Sequence, residues 1–332
     1  MKKAIALFLG LMLIMLALTA CREADITPAA EVSPAPAPSS ASETIPTPTP
    51  EPPIAEARLR PETDREGYAI TLPDEINTII SIGPSNTEVL VALGFGDMII
   101  SADQFSYDVV GIAEGIAVLN MMSLDAEFII DLEPDIIFIT GMTRTHGDDH
   151  PLRLVSDTGI AVIYMPSSVS IAAVMEDIRF MAAVMDAYEA GETIIADMQA
   201  EMDIISTIAA TITETKTVYF EISPLWTLGS NTFIHEMIEF VGAVNIFADE
   251  NSWTNVSEEA VLEANPDVIL TSTNFLDDPI AEIMDRPGWG AITAVQNYDV
   301  FPIDTASSNR PSHNIVRALR EIAEAVFPEY FG

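Results

Sequence analysis

The sequence predicts an α/β protein made of two similar lobes, each built on a parallel sheet covered by helices. Three observations carry this prediction. One motif occurs twice: Ser123-Leu124-Asp125-Ala126-Glu127 leads to Pro134-Asp135 and an apolar run from Ile136, and Asn255-Val256-Ser257-Glu258-Glu259 leads to Pro266-Asp267 and an apolar run from Val268. Glu127 and Glu259 both stand seven residues before their proline. The runs after each Pro-Asp are apolar on both faces, as strands buried under helices are, rather than alternating like a half-wet strand. Two copies this far apart mark a doubled domain, since solenoid repeats recur every roughly 20 to 50 residues.

The elements follow in chain order. Lys2 and Lys3 precede an uncharged apolar run from Ala4 to Leu18, shorter than the about 20 residues of a membrane-spanning helix, so residues 1–20 read as a secretory signal peptide. The run ends Leu18-Thr19-Ala20-Cys21, which resembles a bacterial lipobox, with Cys21 as the lipidated first mature residue. Cys21 is the single cysteine of the chain, so an internal disulfide is excluded and an exported domain must be stabilised by its core. Residues 21–66 comprise this cysteine and a tether rich in Pro, Ala, Ser, Thr and Glu, too poor in apolar surface to fold and able to span roughly 35 to 40 Å as a coil.

Residues 67–188 form the N-terminal lobe. Ile79 to Ile82 is a strand, and Pro84-Ser85-Asn86-Thr87-Glu88 opens a helix with Ser85 as N-cap and Glu88 completing a capping box. Gly94 and Gly96 close it; Met98 to Ser101, the Ile136 run and Ala161 to Tyr164 are further strands. From Ser170 to about Thr213 the pattern is helical with a weak spot at Asp186 to Gly191, and the second piece lies within an interlobe segment, residues 189–214. Residues 215–332 restart the theme as the C-terminal lobe. Thr217 to Ile222 is a strand, Ser230-Asn231-Thr232 leads into a helix ending at Gly242, and the Glu259 helix, the Val268 strand and Val300 to Ile303 follow. Arg310-Pro311-Ser312 opens the last helix, with proline in its favoured first turn.

Composition narrows the function. Lysine plus arginine number 14 against 51 aspartate plus glutamate, a net charge of −37. Such a chain repels nucleic acid and anionic lipid surfaces. Catalytic signatures are missing too: Gly83-Pro84-Ser85-Asn86 lacks the glycines of a dinucleotide loop, and the chain has no Gly-x-Ser-x-Gly elbow and no His-Glu metalloprotease helix. No enzyme activity is expected.

The run Ile80-Ser81-Ile82-Gly83-Pro84-Ser85-Asn86-Thr87-Glu88, the two Glu-to-Pro-Asp units, and Trp226-Thr227-Leu228-Gly229 before Phe233 resemble the cobalamin and iron-siderophore type of substrate-binding lipoprotein, which serves ATP-driven importers. The similarity runs from Ile76 to Phe331. It implies the class III periplasmic-binding-protein fold: two Rossmann-like lobes joined by one long helix, with the ligand held in the cleft between them. It also implies a lipid anchor on the outer face of the cytoplasmic membrane, a permease dimer with its ATPase as partner, and no intrinsic cofactor. The ligand it implies is an iron chelate, haem or a corrinoid.

Glu127 and Glu259 match the family positions that pair with permease arginines. Two equivalent acidic knobs also suit a symmetric membrane dimer on physical grounds, although a glutamate in a first helical turn serves the helix dipole as well. Binding crevices lie beyond the carboxyl ends of strands in open α/β sheets, which selects Pro84, Ser85, Asn86, Phe105, Tyr107, Met142 and Trp226. Met121 and Trp253, each six residues before its glutamate, match cleft positions of the family, as does Arg310. Cobalamin-binding members usually carry an aromatic residue at both of the first two, so Met121 departs from that pattern. The loop His146-Gly147-Asp148-Asp149-His150 offers His146, Asp148 and His150 as metal-ligating types and equally makes a solvated turn; no metal site is assigned. A sensory or adhesive surface lipoprotein on the same fold, working without a permease, is the rival reading.

Overall fold

The computed structural model describes residues 59–143 and 152–332, which belong to one compact unit. The signal peptide, Cys21, most of the tether, and His146, Asp148 and His150 lie outside the described residues.

The first lobe opens with β1 (Ile79–Ile82) and α1 (Pro84–Ala92), then β2 (Ile99–Asp103), β3 (Ala117–Leu119), α2 (Ala126–Asp131) and β4 (Ile136–Thr140). It closes with α3 (Arg153–Ser156), β5 (Ala161–Met165) and α4 (Ile171–Val184). All five strands are parallel, in the order β3-β2-β1-β4-β5. Alternate residues of each strand feed different cores. Ile79, Ile136 and Phe138 face the cluster that continues into the second lobe, while Ile80, Ile82, Ile137 and Ile139 face a separate cluster with Leu152 and Tyr164. That two-sided burial is why these strands read as unbroken apolar runs.

The second lobe contains β6 (Thr217–Glu221), β7 (Trp226–Leu228), α6 (Phe233–Phe240), β8 (Val244–Asn245), β9 (Trp253–Asn255), α7 (Glu258–Ala264) and β10 (Val268–Thr271). Its remainder is α8 (Pro279–Met284), α9 (Thr293–Asn297), β11 (Val300–Pro302), α10 (Thr305–Asn309), α11 (Ile315–Val326) and α12 (Pro328–Phe331). Four strands form a parallel sheet, β11-β10-β6-β8, and β7 pairs antiparallel with β9 beside it. Val218, Phe220, Val268 and Leu270 share the cluster of the first lobe, whereas Tyr219 and Ile269 face a third cluster with Trp289. The predicted two-lobed α/β architecture with parallel sheets is therefore the observed one.

The repeated Pro-Asp does the same work in both lobes. Asp135 Oδ2 accepts from the Asn77 and Thr78 amides at 2.7 and 2.9 Å, and Asp267 Oδ2 accepts from the Thr217 amide and hydroxyl at 2.8 and 2.7 Å. Each carboxylate ties the start of one strand to the approach of its neighbour, β4 to β1 and β10 to β6. Partial burial works to raise the Asp135 value, but the amide donors of Asn77 and Thr78 outweigh it and hold the carboxyl below its usual range.

Between the lobes runs α5 (Tyr188–Ala209), about 33 Å long at 1.5 Å per residue. The break before it falls at the predicted weak spot: Asp186 has φ 55°, a left-handed conformation that ends α4. Gly191 lets α5 turn back against α4, since a Cβ there would meet the Ala182 Cβ at 2.6 Å. Ile195, Met198 and Ile205 of α5 are buried in the cluster that contains core residues of both sheets. Arg320 of α11 pins it further with a 2.6 Å bond to Glu201.

Several boundaries differ from the sequence reading. α1 starts at Pro84 with Gly83 as its N-cap, and no side chain caps it; proline at the first position sets the start two residues early, so the Ser85–Glu88 capping box does not form. The last long helix begins at Ile315, and Arg310-Pro311 instead leave the short α10. Residues at the end of the compositional tether are held by the first lobe. Arg60 donates to the Val184 and Pro73 carbonyls, Arg65 pairs with Asp177 and Glu176, and buried Asp64 accepts from the Tyr164 amide at 3.0 Å. Composition misses this because the anchoring is by long-range hydrogen bonds of polar residues.

Candidate ligand cleft between the lobes

The strand orders place the crevice. In the first sheet the chain steps outward from β1 to β3 and then returns to β4, so the order reverses between β1 and β4. In the second it reverses between β6 and β10. Ligand crevices form beyond the carboxyl ends of strands at such points. Here the segments leaving β1 and β4 face the other lobe across an open cleft of about 850 Å³, at the large end of small-molecule sites. Gly83 permits the close approach at its floor: its φ is 110°, and a Cβ would come within 3.0 Å of the Thr140 Cβ. The Gly83 amide donates to Asp103 Oδ2 at 2.8 Å, and the buried Asp103 also accepts from Ser106 and the Phe105 amide. These bonds shape the loop that presents Phe105 and Tyr107.

Eight of the ten anticipated ligand residues line this cleft: Pro84, Ser85, Phe105, Tyr107, Met121, Met142, Trp253 and Arg310. Two do not. Asn86 points inward, its amide donating to the Ile82 carbonyl at 3.0 Å, because it lies on the buried face of α1. Trp226 sits on β7, paired in register with Asn255 and half-buried beside the lobe rather than on the cleft wall. Asn274, which follows β10 and meets the same strand-end rule, also lines it, and residues with no such signal complete the wall, notably Met122, Val169, Asn231 and Phe233. Tyr107 is 81% exposed, Met122 71% and Met142 68%. Large apolar side chains held open around one cavity are the mark of a surface awaiting a partner.

The charged centre of the cleft crosses between the lobes. Arg310 donates to Glu88 Oε1 at 2.9 Å, to both oxygens of Asp108 at 2.8 and 3.0 Å, and to the Phe105 carbonyl at 3.2 Å. Glu88 also accepts from Ser312 and, at 3.0 Å, from Asn314. Glu88 is 7% exposed, so removing its partners would strand a carboxylate away from water. Burial alone would lower the Arg310 value, but Glu88 and Asp108 outweigh it and raise the guanidinium further. Nearby His313 is pushed below its ordinary range by burial, against the pull of the Glu88 charge, and its Nδ1 lacks a hydrogen-bond partner among the described residues. Glu88 was legible only as a helix-start residue; the signal that could have exposed it is the scarcity of cations, 14 lysine plus arginine against 51 acidic residues, which makes an arginine at a predicted cleft position worth pairing.

Glu127 and Glu259 occupy the first turns of α2 and α7, both exposed. The helices are capped alike, Asp125 accepting from the Phe128 amide and Ser257 from the Ala260 amide. Among the described residues neither glutamate makes an ion pair. The backbone amide of Glu259 and the Ser257 hydroxyl hold the Glu259 carboxyl below its usual range. Among the described residues no group of three or more His, Cys, Asp or Glu is placed to hold a metal ion.

Residues 79–306, more than half the chain, match the sequence model of a family described as periplasmic binding protein. An ABC transporter substrate-binding lipoprotein of Bacillus subtilis is 27% identical over 276 residues, covering 81% of this chain and 85% of its own. A cobalamin-binding protein of Halobacterium salinarum is 26% identical over 276 residues, covering 80% and 73%. Among solved structures, a periplasmic solute-binding protein of Staphylococcus epidermidis superposes with a TM-score of 0.68 at 25% identity, over 76% of this chain and all of its own.

Proposed function

Because this chain belongs to the periplasmic binding protein family, whose members bind solutes and do not catalyse, we propose that it is a lipid-anchored receptor that captures a bulky metal complex outside the cell and delivers it to an ABC importer. The complex would be an iron chelate, haem or a corrinoid, in line with the cobalamin named for one relative. The observation that carries the reading is the open interlobe cleft walled by exposed aromatic and methionine side chains. Thioethers and aromatic faces suit a broad, flat, polarisable guest. The long helix α5, buried in a core shared by both lobes, favours small lobe motions over wide closure.

Glu127 and Glu259 supply the contact with the permease in this reading. Each stands exposed in the first turn of a capped helix that precedes a parallel strand, at matching places in the two lobes. Charges so placed govern encounter and register. Two measurements test the proposal. Native purification followed by absorbance and mass spectrometry should return a coloured metal complex. Reversal of both knobs, Glu127→Arg with Glu259→Arg, should abolish uptake while the purified protein still binds; uptake that survives the double reversal refutes the docking assignment and favours a receptor that works without a permease.

A further inference from the structure

We infer that the cleft takes uncharged or cationic metal complexes and excludes anionic ones, an inference that rests on the solute-receptor reading above. Among the described residues the wall holds one cationic side chain, Arg310, and it already faces two carboxylates, Glu88 at 2.9 Å and Asp108 at 2.8 Å. One positive charge against two negative leaves the spot net negative. Arg310 is 16% exposed, so an incoming carboxylate or catecholate reaches it only by displacing one of those partners.

Helix dipoles pull the other way and must be weighed. The N-termini of α1, α6 and α10 border the cleft, and such ends favour anions. Each is already engaged. α1 begins with Pro84, which has no N–H, and its Asn86 and Thr87 amides return to the Gly83 carbonyl at 3.0 and 3.2 Å. In α6 the Thr232 hydroxyl accepts from the His235 amide, and in α10 Asp304 brings a full negative charge that accepts from the Ser307 amide. The remaining wall is thioether, aromatic, amide and hydroxyl, as at Met121, Met142, Trp253, Asn231 and Asn274. A neutral macrocycle with peripheral amides meets suitable partners there. An anionic complex would lose hydration without gaining a counter-charge, and it is repelled at a distance by a chain of net charge −37.

The test titrates the detergent-solubilised full chain with four probes, read by quenching of its tryptophan fluorescence. These are uncharged cyanocobalamin, cationic ferrioxamine B, haem with its two propionates, and triply anionic ferric enterobactin. Cyanocobalamin or ferrioxamine B should bind, and both anionic probes should bind about tenfold or more weakly than the better of these. Haem or ferric enterobactin binding as tightly as the best uncharged or cationic probe overturns the inference and leaves the solute-receptor reading standing. Binding by none of the four overturns that reading, and the inference with it. Asp108→Asn, at an exposed position, frees one end of Arg310; the ratio of haem to cyanocobalamin affinity should then rise about threefold to tenfold. A ratio that does not move also overturns the inference.

Discussion

The two lobes share their framework and differ at the cleft. Asp135 and Asp267 make matching bonds to the neighbouring strand, and Asp125 and Ser257 cap matching helices. The walls that face the guest are unlike: Phe105, Tyr107, Met121, Met122 and Met142 on the first lobe, against Asn231, Ser252, Trp253, Asn274 and Thr305 on the second. A doubled domain keeps what holds each sheet together, since every copy needs it to fold. In the proposed receptor the cleft walls meet two different faces of one guest and have no reason to match. The large side chains of the first wall are aromatic rings and thioethers, with hydroxyls such as Ser85 and Thr140 among them, while the second wall is mostly amide and hydroxyl with Phe233 and one indole.

The largest expected effect lies where the lobes meet. Arg310→Met leaves Glu88 buried beside Ser312 and Asn314 without its cation, and should cost about 3 kcal/mol in urea denaturation. Adding Glu88→Gln should recover part of that loss; a double variant as unstable as the sum of the single ones would show that the pair is not coupled.

Next come the two stitches, which break the comparison if they are unequal. Asp135→Ala and Asp267→Ala each leave strand-edge donors without their acceptor, and each should cost about 1 to 3 kcal/mol. For Asp135 the pH dependence has a definite sign. Its folded value lies below the unfolded one, so its contribution is present above the unfolded carboxylate range and is lost as pH falls through the folded value. Asp135→Asn should therefore flatten the acid limb of the stability curve relative to the parent chain.

Smaller effects sharpen the contrast between the walls. Trp253→Ala and Phe105→Ala should each weaken binding of the co-purified complex about tenfold, measured by titration, if both walls grip it. A loss confined to one of them would show that the guest rests on a single lobe. Least of all, Glu127→Arg or Glu259→Arg should leave thermal melts almost unmoved, because both side chains are exposed and lose only a favourable place at a helix start.

Much of the fold was legible because the information is local. Apolar runs after Pro-Asp, the helical stretch from Ser170 and the weak spot at Asp186 depend on neighbours in sequence, and the structure places strands and a helix break there. Misreadings arose where one residue decided between two local solutions. Pro84 shifts the start of α1, which turns Asn86 inward and carries Glu88 away from a capping role and toward the other lobe. Trp226 fell beside the cleft because β7 pairs with β9, a partner its own sequence does not name.

By itself, then, the sequence determined the doubled α/β architecture and pointed to several residues of the cleft's first wall, since periodicity and turn chemistry are short-range properties of the chain. Only the tertiary structure decided that Arg310, Glu88 and Asp108 meet: Glu88 and Arg310 are 222 residues apart. No local rule brings such groups together. Their meeting requires both sheets, the buried helix α5 and a common core, and that assembly sets the charge a guest encounters.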